Sequence, residues 1–348
     1  MIIKFDEQFE ENIKANPNQD DTIKKKINNL FAAMENENLF IKASLSFLYF
    51  LKNNWFGEFS KWARRCVQTL ITFNTQIMSE VKNKEPLITI SDKNPRDCSL
   101  SGSCVCSIYD IPDVFEAKMF CENIDDGLLF KKLYKELRKN DALLQISELS
   151  FCGSNINCIE TELNRNSIFI TIADSDKRYP NADEGTTASK IRELYQTHSH
   201  LFSTFYILNV HEKENLIPTA LLKDCARFTS EQKTMLEIVC SSNDDVKNFF
   251  DIKDGLTKEK QNEYKNDADY NAFYNPIIQE AKNRSIFFEN NNHLIRGIKS
   301  CGISQVLDEI DYNSFNSFLT PEQKTDLDSI FDQMFRFGFR FINKRIYS

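Results

Sequence analysis

The stretch SIFITIADSDK, residues 167–177, decides the fold of this chain. From Ile168 to Ala173 its residues are all apolar or β-branched, which is typical of a strand buried on both faces of a parallel sheet. The run ends abruptly in Asp174-Ser175-Asp176, so two carboxylates follow directly. The sequence therefore predicts a buried parallel strand with acidic residues at its carboxyl end.

Strands and helices alternate on both sides of this stretch. The alternation predicts an α/β fold with a central parallel sheet, built as βαβαβαβ with right-handed crossovers. The other predicted elements are strands at 115–121, 143–151 and 203–210 and helices at 128–138, 156–163 and 187–197.

The regions before and after the alternating segment are predicted to be helical. Apolar residues recur at helical spacing from Ile23 to Phe31, and the polar segment 92–107 is predicted to be a loop near a domain boundary. FTSEQKTMLEIV (228–239) and LTPEQKTDLDSI (319–330) both carry Thr followed three residues later by Gln, which is typical of a capping box at a helix start. The predicted division is an N-terminal helical domain at 1–110, a catalytic α/β domain at 111–222 and a C-terminal helical region at 223–348.

Composition excludes several classes of protein. The chain has 348 residues, 41% hydrophobic and 27% charged, which is typical of a soluble protein with a buried core. A net charge of −8 argues against a surface coated for nonspecific nucleic-acid binding but permits a local basic groove. Ten scattered cysteines favour a reduced protein, and MIIKFDEQFEEN shows no secretory signal. The apolar stretch Leu39–Leu51 is too short and polar to span a membrane, so we expect a cytoplasmic protein.

Acidic residues follow three of the predicted strands. Glu122 ends the first strand, Asp174 and Asp176 end the third, and Glu212 and Glu214 come after the fourth. Ligands of parallel sheets gather at the carboxyl ends of the strands, where carboxylate oxygens suit a hard cation such as Mg²⁺ or Mn²⁺. Acidic residues also end strands because they suit turns, but their recurrence at three strand ends favours a metal site.

These residues give the chain a resemblance to the Toprim domain, the metal-dependent catalytic module of topoisomerases, primases and OLD-type nucleases. The resemblance covers about 115–220 and includes a strand ending in Glu, a Gly-containing turn and a strand ending in Asp-x-Asp. Asn123 stands where the family usually has Gly, and Asn is the next best residue for a left-handed turn. The matching segments are KMFCENIDDGLLFKKLY (118–134), LSFCGSNIN (149–157) and IFITIADSDK (168–177). NVHEKENLIP (209–218) is similar to the Glu-x-Glu-Asn segment of Toprim-like effectors in bacterial anti-phage systems, including those paired with an ABC-type ATPase.

The resemblance implies cleavage of phosphodiester bonds with Mg²⁺. Asp174 and Asp176 would hold the metal, Glu122 would bind metal or act as general acid or base, and Asp126 would be a further carboxylate close by. Glu212 and Glu214 would complete a second metal site, unless they cap the following helix, with Asn215 orienting one of them. The cations placed to contact nucleic acid are Lys177, Arg178, Lys190 and Arg192. Lys177 would also serve catalysis, and Lys177 and Arg178 would equally serve to balance the carboxylates.

The leading hypothesis is therefore a Mg²⁺-dependent endonuclease acting on DNA, tRNA or other RNA. As a toxic effector of an anti-phage system, it would stay inactive until a partner protein signals infection. No GxxxxGK[ST] loop is present, so an ATPase would be a separate chain, and a homo-oligomer stays open. The alternative is a non-catalytic sensor or partner-binding module on a degenerate Toprim scaffold.

Three weaker patterns also stay open. Arg192 and His198 are similar to the Arg-x5-His motif of small helical RNases. Zinc could be held by histidines or by cysteines, although no paired C-x-x-C occurs. The alternating Phe and Arg of the tail from Phe335 to Phe341 could stack on unpaired bases or form a packed terminal element. The zinc candidates are His198, His200 and His211, or Cys98, Cys104, Cys106 and Cys121.

Overall fold

The computed structural model describes residues 1–35, 39–81, 83–98, 102–138, 144–151, 155–289, 291–299, 303 and 305–339. In it the chain forms an α/β fold with two four-stranded parallel sheets and a two-stranded antiparallel ribbon. The predicted turn at 152–154 and the tail beyond Phe339 lie outside the described residues.

The first parallel sheet, called here the N-terminal sheet, corrects the prediction of an all-helical N-terminal domain. Its strands are very short and lie in the order β2-β1-β3-β4. The last of them lies within 92–107, which the sequence predicted to be a loop. The strands are β1 (Ile2–Phe5), β2 (Phe40–Lys42), β3 (Ile88–Ile90) and β4 (Cys104–Cys106).

The helices predicted for this region are present around the N-terminal sheet. Ile23, Ile27, Leu30 and Phe31 are buried, as their helical spacing predicted. The side chain of Asp20 accepts a hydrogen bond from the Thr22 N–H (2.8 Å) just ahead of that helix. The helices are α1 (Glu7–Ala15), α2 (Asp21–Glu35), α3 (Leu45–Asn54), α4 (Lys61–Thr72) and α5 (Asn74–Val81).

The second parallel sheet, called here the central sheet, confirms the predicted alternation of strands and helices. Its strands lie in the order β6-β5-β7-β8, and every residue of β7 is buried. In chain order the elements are β5 (Lys118–Cys121), α6 (Ile124–Leu137), β6 (Ser147–Ser150), α7 (Asn157–Asn164), β7 (Phe169–Ala173), α8 (Thr186–Thr197) and β8 (Ser203–Ile207).

The C-terminal region is mainly helical, as predicted, with one antiparallel ribbon that the sequence did not indicate. Both predicted capping boxes form, at Thr229 with Gln232 and at Thr320 with Gln323. The elements are α9 (Thr219–Leu222), α10 (Ser230–Ser241), α11 (Asp244–Phe249), β9 (Gly255–Thr257), α12 (Lys258–Glu263), α13 (Ala268–Asn283), β10 (His293–Arg296) and α14 (Pro321–Gly338). Two short 3-10 helices lie at Lys213–Leu216 and Phe315–Ser317.

Helix α14 holds the segment that follows β8. The buried carboxylate of Asp326 accepts hydrogen bonds from the Tyr206 hydroxyl (2.8 Å) and from the backbone N–H groups of Asn209 (2.9 Å) and Val210 (3.1 Å). The Gln323 side chain donates to the Asn215 carbonyl (2.6 Å). The position of this segment at the edge of the central sheet therefore depends on residues more than a hundred positions later.

Candidate functional site

The carboxyl edge of the central sheet collects buried acidic side chains. β5 and β7 are parallel neighbours, so the residues that follow them, Glu122 and Asp174, emerge at the same edge. Asp174 is 8% exposed and Asp126, in the first turn of α6, is 4% exposed. Unpaired carboxylates are rarely buried this deeply, because losing water disfavours the charged form. The edge therefore needs a source of positive charge.

Lys213 supplies positive charge at this edge, and the sequence analysis gave this residue no role. Its side chain is buried, and its ammonium group lies 2.8 Å from Asp126 Oδ1 and 3.5 Å from Glu214 Oε1. Its backbone N–H donates to Asp174 Oδ1 (2.9 Å). The surrounding carboxylates raise the pKa of Lys213, so it stays charged. Its place between Glu212 and Glu214 in the segment after β8 is a weak signal, because a lysine there is usually exposed.

Three carboxyl groups of the site have pKa values raised from their ordinary range. Burial raises the pKa of Asp174 well above that range, against the lowering effect of Lys213. Burial also raises the pKa of Glu122, and the neighbouring Asp176 carboxylate adds to the rise. Burial raises the pKa of Glu214 in the same way. These groups hold protons more tightly than isolated carboxyl groups do. A cation bound beside them would lower their pKa values and favour loss of the protons.

Asp176 is held by an unusual backbone arrangement. Its φ of 55° lies in the left-handed region, and its N–H donates to the His211 carbonyl (2.9 Å). Gly185, at the start of α8, packs against it so closely that an added Cβ would lie 2.5 Å from the Asp176 Cβ. The Gly185 N–H donates to the Ser175 carbonyl (2.8 Å), which locks the two segments together.

Asn123 does not adopt the left-handed turn that the resemblance to the Toprim domain predicted. Its backbone is extended (φ −129°, ψ 158°) and it occupies the N-cap position of α6. Its N–H donates to Asp126 Oδ2 (2.9 Å). The departure from Gly is thus compatible with the local backbone, because Asn is a favoured N-cap residue. Asp126 serves both this cap and Lys213.

A second buried charge cluster adjoins the first and contains His211, Glu212 and Asp251. Glu212 is the N-cap of the 3-10 helix at Lys213–Leu216, which is the capping role weighed from the sequence. Its Oε1 lies 3.2 Å from the Lys253 ammonium. The side chain of Asn215 accepts a hydrogen bond from the backbone N–H of Glu212 (3.3 Å) and does not contact its carboxylate in that bond.

Asp251 is the anionic centre of this second cluster. It lies 2.8 Å from Arg178 and 2.6 Å from Lys260. Burial tends to raise its pKa, but His211 and Lys260 hold it well below the ordinary range. Arg178, predicted to contact phosphate, is thus committed to a buried carboxylate. The sequence gave no signal for Asp251.

The other predicted phosphate-binding cations have different surroundings. Arg192 makes two hydrogen bonds of 2.7 Å to Glu184. Lys177 is half-buried and Lys190 is exposed on α8. Within the described part of the chain, neither lysine forms an ion pair. These two lysines are therefore available to an anionic ligand.

The donor set fits a hard divalent cation. Glu212 Oε2 and Glu214 Oε2 are buried and have no hydrogen-bond partner among the described residues. The ligand atoms of His211, Glu212 and Asp251 lie within 4.8 Å of one another. This group offers two carboxylates and one imidazole and includes no thiol, so it could hold a metal ion.

The weaker hypotheses find less geometric support. His198 contacts the Leu194 carbonyl (3.1 Å) and Glu160 (3.5 Å), while Arg192 is bound to Glu184. In the described ranges, the close group of three potential metal ligands is His211, Glu212 and Asp251, which includes one of the candidate histidines. The four candidate cysteines are buried thiols, namely Cys98, Cys104, Cys106 and Cys121.

Comparison with known proteins adds no relative. No family model, no curated protein and no solved structure matches the chain. None of the helices described here has the length and apolar character required to cross a membrane.

Proposed function

We propose that this protein is a Mg²⁺-dependent endonuclease with a Toprim-like catalytic centre. The observation that carries the proposal is the convergence of Glu122, Asp174 and Asp176 after two neighbouring parallel strands. Perturbed pKa values in two of these groups add support, because such shifts concentrate at functional sites. By analogy, we extend the proposal to biological role: the nuclease would be toxic and would stay inactive until a separate ATPase or other partner signals infection.

In this proposal, Asp174 and Asp176 hold the metal, and Glu214 adds an unpartnered buried oxygen. Bound Mg²⁺ would neutralise charge on the phosphoryl oxygens and activate a water or hydroxyl nucleophile. Burial raises the pKa of Glu122, and a raised pKa is the direction expected of a carboxyl group that acts as general acid or base. Lys213 offsets the repulsion among the carboxylates before metal binds.

Lys177 and Lys190 would receive the phosphate backbone. Lys177 directly follows Asp176, and Lys190 lies on the exposed side of α8, the helix that begins against Asp176. Two accessible lysines give little affinity at physiological salt, because each phosphate contact contributes modestly. Weak binding in the resting state agrees with the net charge of −8 and with a nuclease that a partner must activate.

The alternative is a non-catalytic sensor or partner-binding module. A specific observation favours it, namely that Lys213 already neutralises Asp126 and Glu214 without any metal. In a purely structural cluster, the buried lysine would replace the cation permanently. Metal binding therefore separates the two functions.

The deciding experiment is incubation of the purified protein, with its partner where one is found, with DNA and RNA pools. Reactions with Mg²⁺, with Mn²⁺ and with EDTA are followed by sequencing of the ends. We expect cleavage that depends on metal and is lost in Asp174→Asn. The matched control is Asp92→Asn, an exposed aspartate that follows β3 of the N-terminal sheet.

The outcomes are distinct. Full cleavage by Asp174→Asn would overturn the metal-nuclease proposal. Calorimetry showing no Mg²⁺ or Mn²⁺ binding by the wild type would favour the non-catalytic module. Cleavage that survives EDTA but is lost in His198→Ala would instead support the Arg192 and His198 pair.

A further inference from the structure

The N-terminal sheet has one apolar face. Ile3 pairs in register with Ile41 and with Ile88, and Ile88 pairs with Cys104. All four have 0% exposure. Since residues in register on parallel strands point to the same side, this row marks the face packed against the core.

The opposite face carries lysines where a doubly wound sheet normally has apolar residues. Lys4 pairs in register with Lys42 and with Thr89, and Thr89 pairs with Val105. None of these four side chains is buried, and Lys4 is exposed. This face is therefore only partly covered by helices, although parallel sheets are usually covered on both sides.

A cavity of about 760 Å³ lies over this polar face. It extends to Phe5 and Ala43, at the ends of β1 and β2. The strand β2 follows β1 in the chain and lies on one side of it, whereas β3 lies on the other side. The direction in which strands are added to the sheet therefore reverses at β1. Open α/β sheets bind ligands at this place, and the volume suits a nucleotide-sized molecule.

Three lysines border the cavity, and one carboxylate, Glu85, lies among them and acts on Lys42. Among the described residues, Lys4, Lys42 and Lys84 form no ion pair. The Lys42 ammonium donates to the Lys84 carbonyl, and the Lys84 ammonium lies 4.3 Å from the ring centre of Phe335. Burial lowers the pKa of Lys42, Glu85 partly opposes this, and Lys4 and Lys84 lower it further. An anion in the cavity would relieve this repulsion.

The acidic residues of the cavity lie mainly on a different element. Glu7, Glu10 and Glu11 belong to α1, whereas the lysines lie on strands β1 and β2 and just before β3. Glu10 is buried and accepts a hydrogen bond from the Ser44 N–H (2.9 Å). A ligand with an anionic end and a donor-rich end would match these two sides.

We propose that this cavity binds a nucleotide, with its phosphates at Lys4, Lys42 and Lys84 and its ribose or base donors toward Glu7 and Glu10. The lysines act as point charges for phosphate, and Thr89 at the sheet face provides a hydroxyl. The site is separate from the carboxylate centre of the central sheet and does not depend on nuclease activity.

The test is calorimetric titration of the full chain with ATP, ADP, pyrophosphate and adenosine in EDTA. EDTA removes divalent metal, so a nucleotide–metal complex at the carboxylate centre does not contribute. We expect ATP and ADP to bind and adenosine to bind at least about tenfold more weakly, since a charged hydrogen bond is lost with each phosphate contact.

Variants assign the binding to the cavity. Lys4→Ala combined with Lys42→Ala should weaken ATP binding by about tenfold or more. Lys25→Ala, an exposed lysine on α2, is the matched control and should bind as the wild type does. Lys4→Gln alone, at an exposed position, gives the same comparison where the double variant does not fold, which circular dichroism would show.

Three results would overturn the proposal. The first is no binding of ATP, ADP or pyrophosphate by the wild type. The second is adenosine binding as tightly as ATP, since the lysines would then contribute nothing. The third is ATP binding that is unchanged in folded Lys4→Gln or reduced equally in Lys25→Ala.

Discussion

The two parallel sheets have the same strand order but very different carboxyl edges. In each, the second strand lies outside the first, and the third and fourth follow on the other side. Acidic residues follow the corresponding strands of both, with Asp6 after β1 and Asp92 after β3, as Glu122 follows β5 and Asp174 follows β7. Strand order brings these side chains to an edge in both sheets but does not give them the same chemistry.

The two edges differ in how deeply their acidic side chains are buried. In the N-terminal sheet, Asp6 caps α1 and lies 3.4 Å from Lys93, a lysine that is 73% exposed on its side chain. In the central sheet, the segment held by α14 covers the edge, and Lys213 replaces water around Asp126 and Asp174. The comparison teaches that covering an acidic strand edge, and not strand order alone, produces the perturbed carboxyl groups.

The largest effect is expected from removing the buried lysine. Lys213→Ala leaves carboxylates buried without a cation and should lower the free energy of unfolding in EDTA by about 3–5 kcal/mol. The corresponding change in the N-terminal sheet, Lys93→Ala, should cost less than about 1 kcal/mol, because its ion pair is exposed. Urea unfolding of both variants measures the contrast, and equal losses would break the comparison. Mg²⁺ should restore part of the stability of Lys213→Ala if the carboxylates bind it.

The next effect concerns the backbone around Asp176. Gly185→Ala forces a Cβ against the Asp176 side chain and should destabilise the protein by about 1–3 kcal/mol. It should also weaken Mg²⁺ binding measured by calorimetry, because the carboxylate must move. Gly57→Ala is the control, since nothing lies within 4 Å of a Cβ at that position. Unchanged metal affinity in Gly185→Ala would remove Asp176 from the metal site.

A smaller effect is expected from Asp326, through which α14 holds the segment at the carboxyl edge of the central sheet. Burial raises the pKa of Asp326 from 3.8 to about 6. The folded protein therefore holds this proton more tightly than the unfolded chain, so the stabilisation is fully present below pH 3.8 and is lost as pH rises to about 6. The amount is on the order of 2–3 kcal/mol. Thermal unfolding from pH 4 to 7 should show this decline in the wild type relative to Asp326→Asn.

At pH 7, Asp326→Asn should still be less stable than the wild type, because an amide N–H group would face the backbone N–H groups of Asn209 and Val210. Asp328→Asn is the control, as Asp328 is exposed and pairs with Arg138 (2.9 Å). A parallel pH profile in Asp326→Asn and the wild type would show that this carboxyl does not titrate in the window.

The smallest effects are expected at the two equivalent helix caps. Asp6→Ala removes an acceptor of the Gln8 N–H (2.9 Å) and should cost about 1 kcal/mol. Asn123→Gly should cost only about a few tenths of a kcal/mol, because Gly tolerates the extended N-cap position. Urea unfolding measures both. A loss above about 1 kcal/mol in Asn123→Gly would show that Asn123 does more than begin α6.

The central sheet could be predicted from the sequence because its strands have strong signals. Residues 168–173 are all apolar or β-branched and are bounded by polar turns. The strands of the N-terminal sheet, IIKF, FIK, ITI and CVC, are only three or four residues long. FIK merges with an apolar helix, and CVC lies in a polar segment, so tertiary pairing rather than local pattern makes them strands.

The site was predictable only in part, for a related reason. Carboxylates after strands are visible in the sequence, and their shared edge follows from parallel order. Lys213 and Asp251 are not visible in this way, because a lysine or aspartate is usually exposed and only tertiary contacts bury these two. The partners of Arg178 and Arg192 are likewise set by packing, and Asp251 lies 73 positions from Arg178.

The hydrogen bonds between Asp326 and the segment after β8 can form only late in the synthesis of these residues on the ribosome. The segment at 209–215 is translated well before Asp326, which lies 117 positions after Asn209. At about 5–20 residues per second, the delay between the two is roughly 6–23 s. Until then, Asn209 and Val210 lack their acceptor and the acidic edge of the central sheet lacks its cover. A nascent chain would therefore complete its charged centre only after helix α14 has been synthesised.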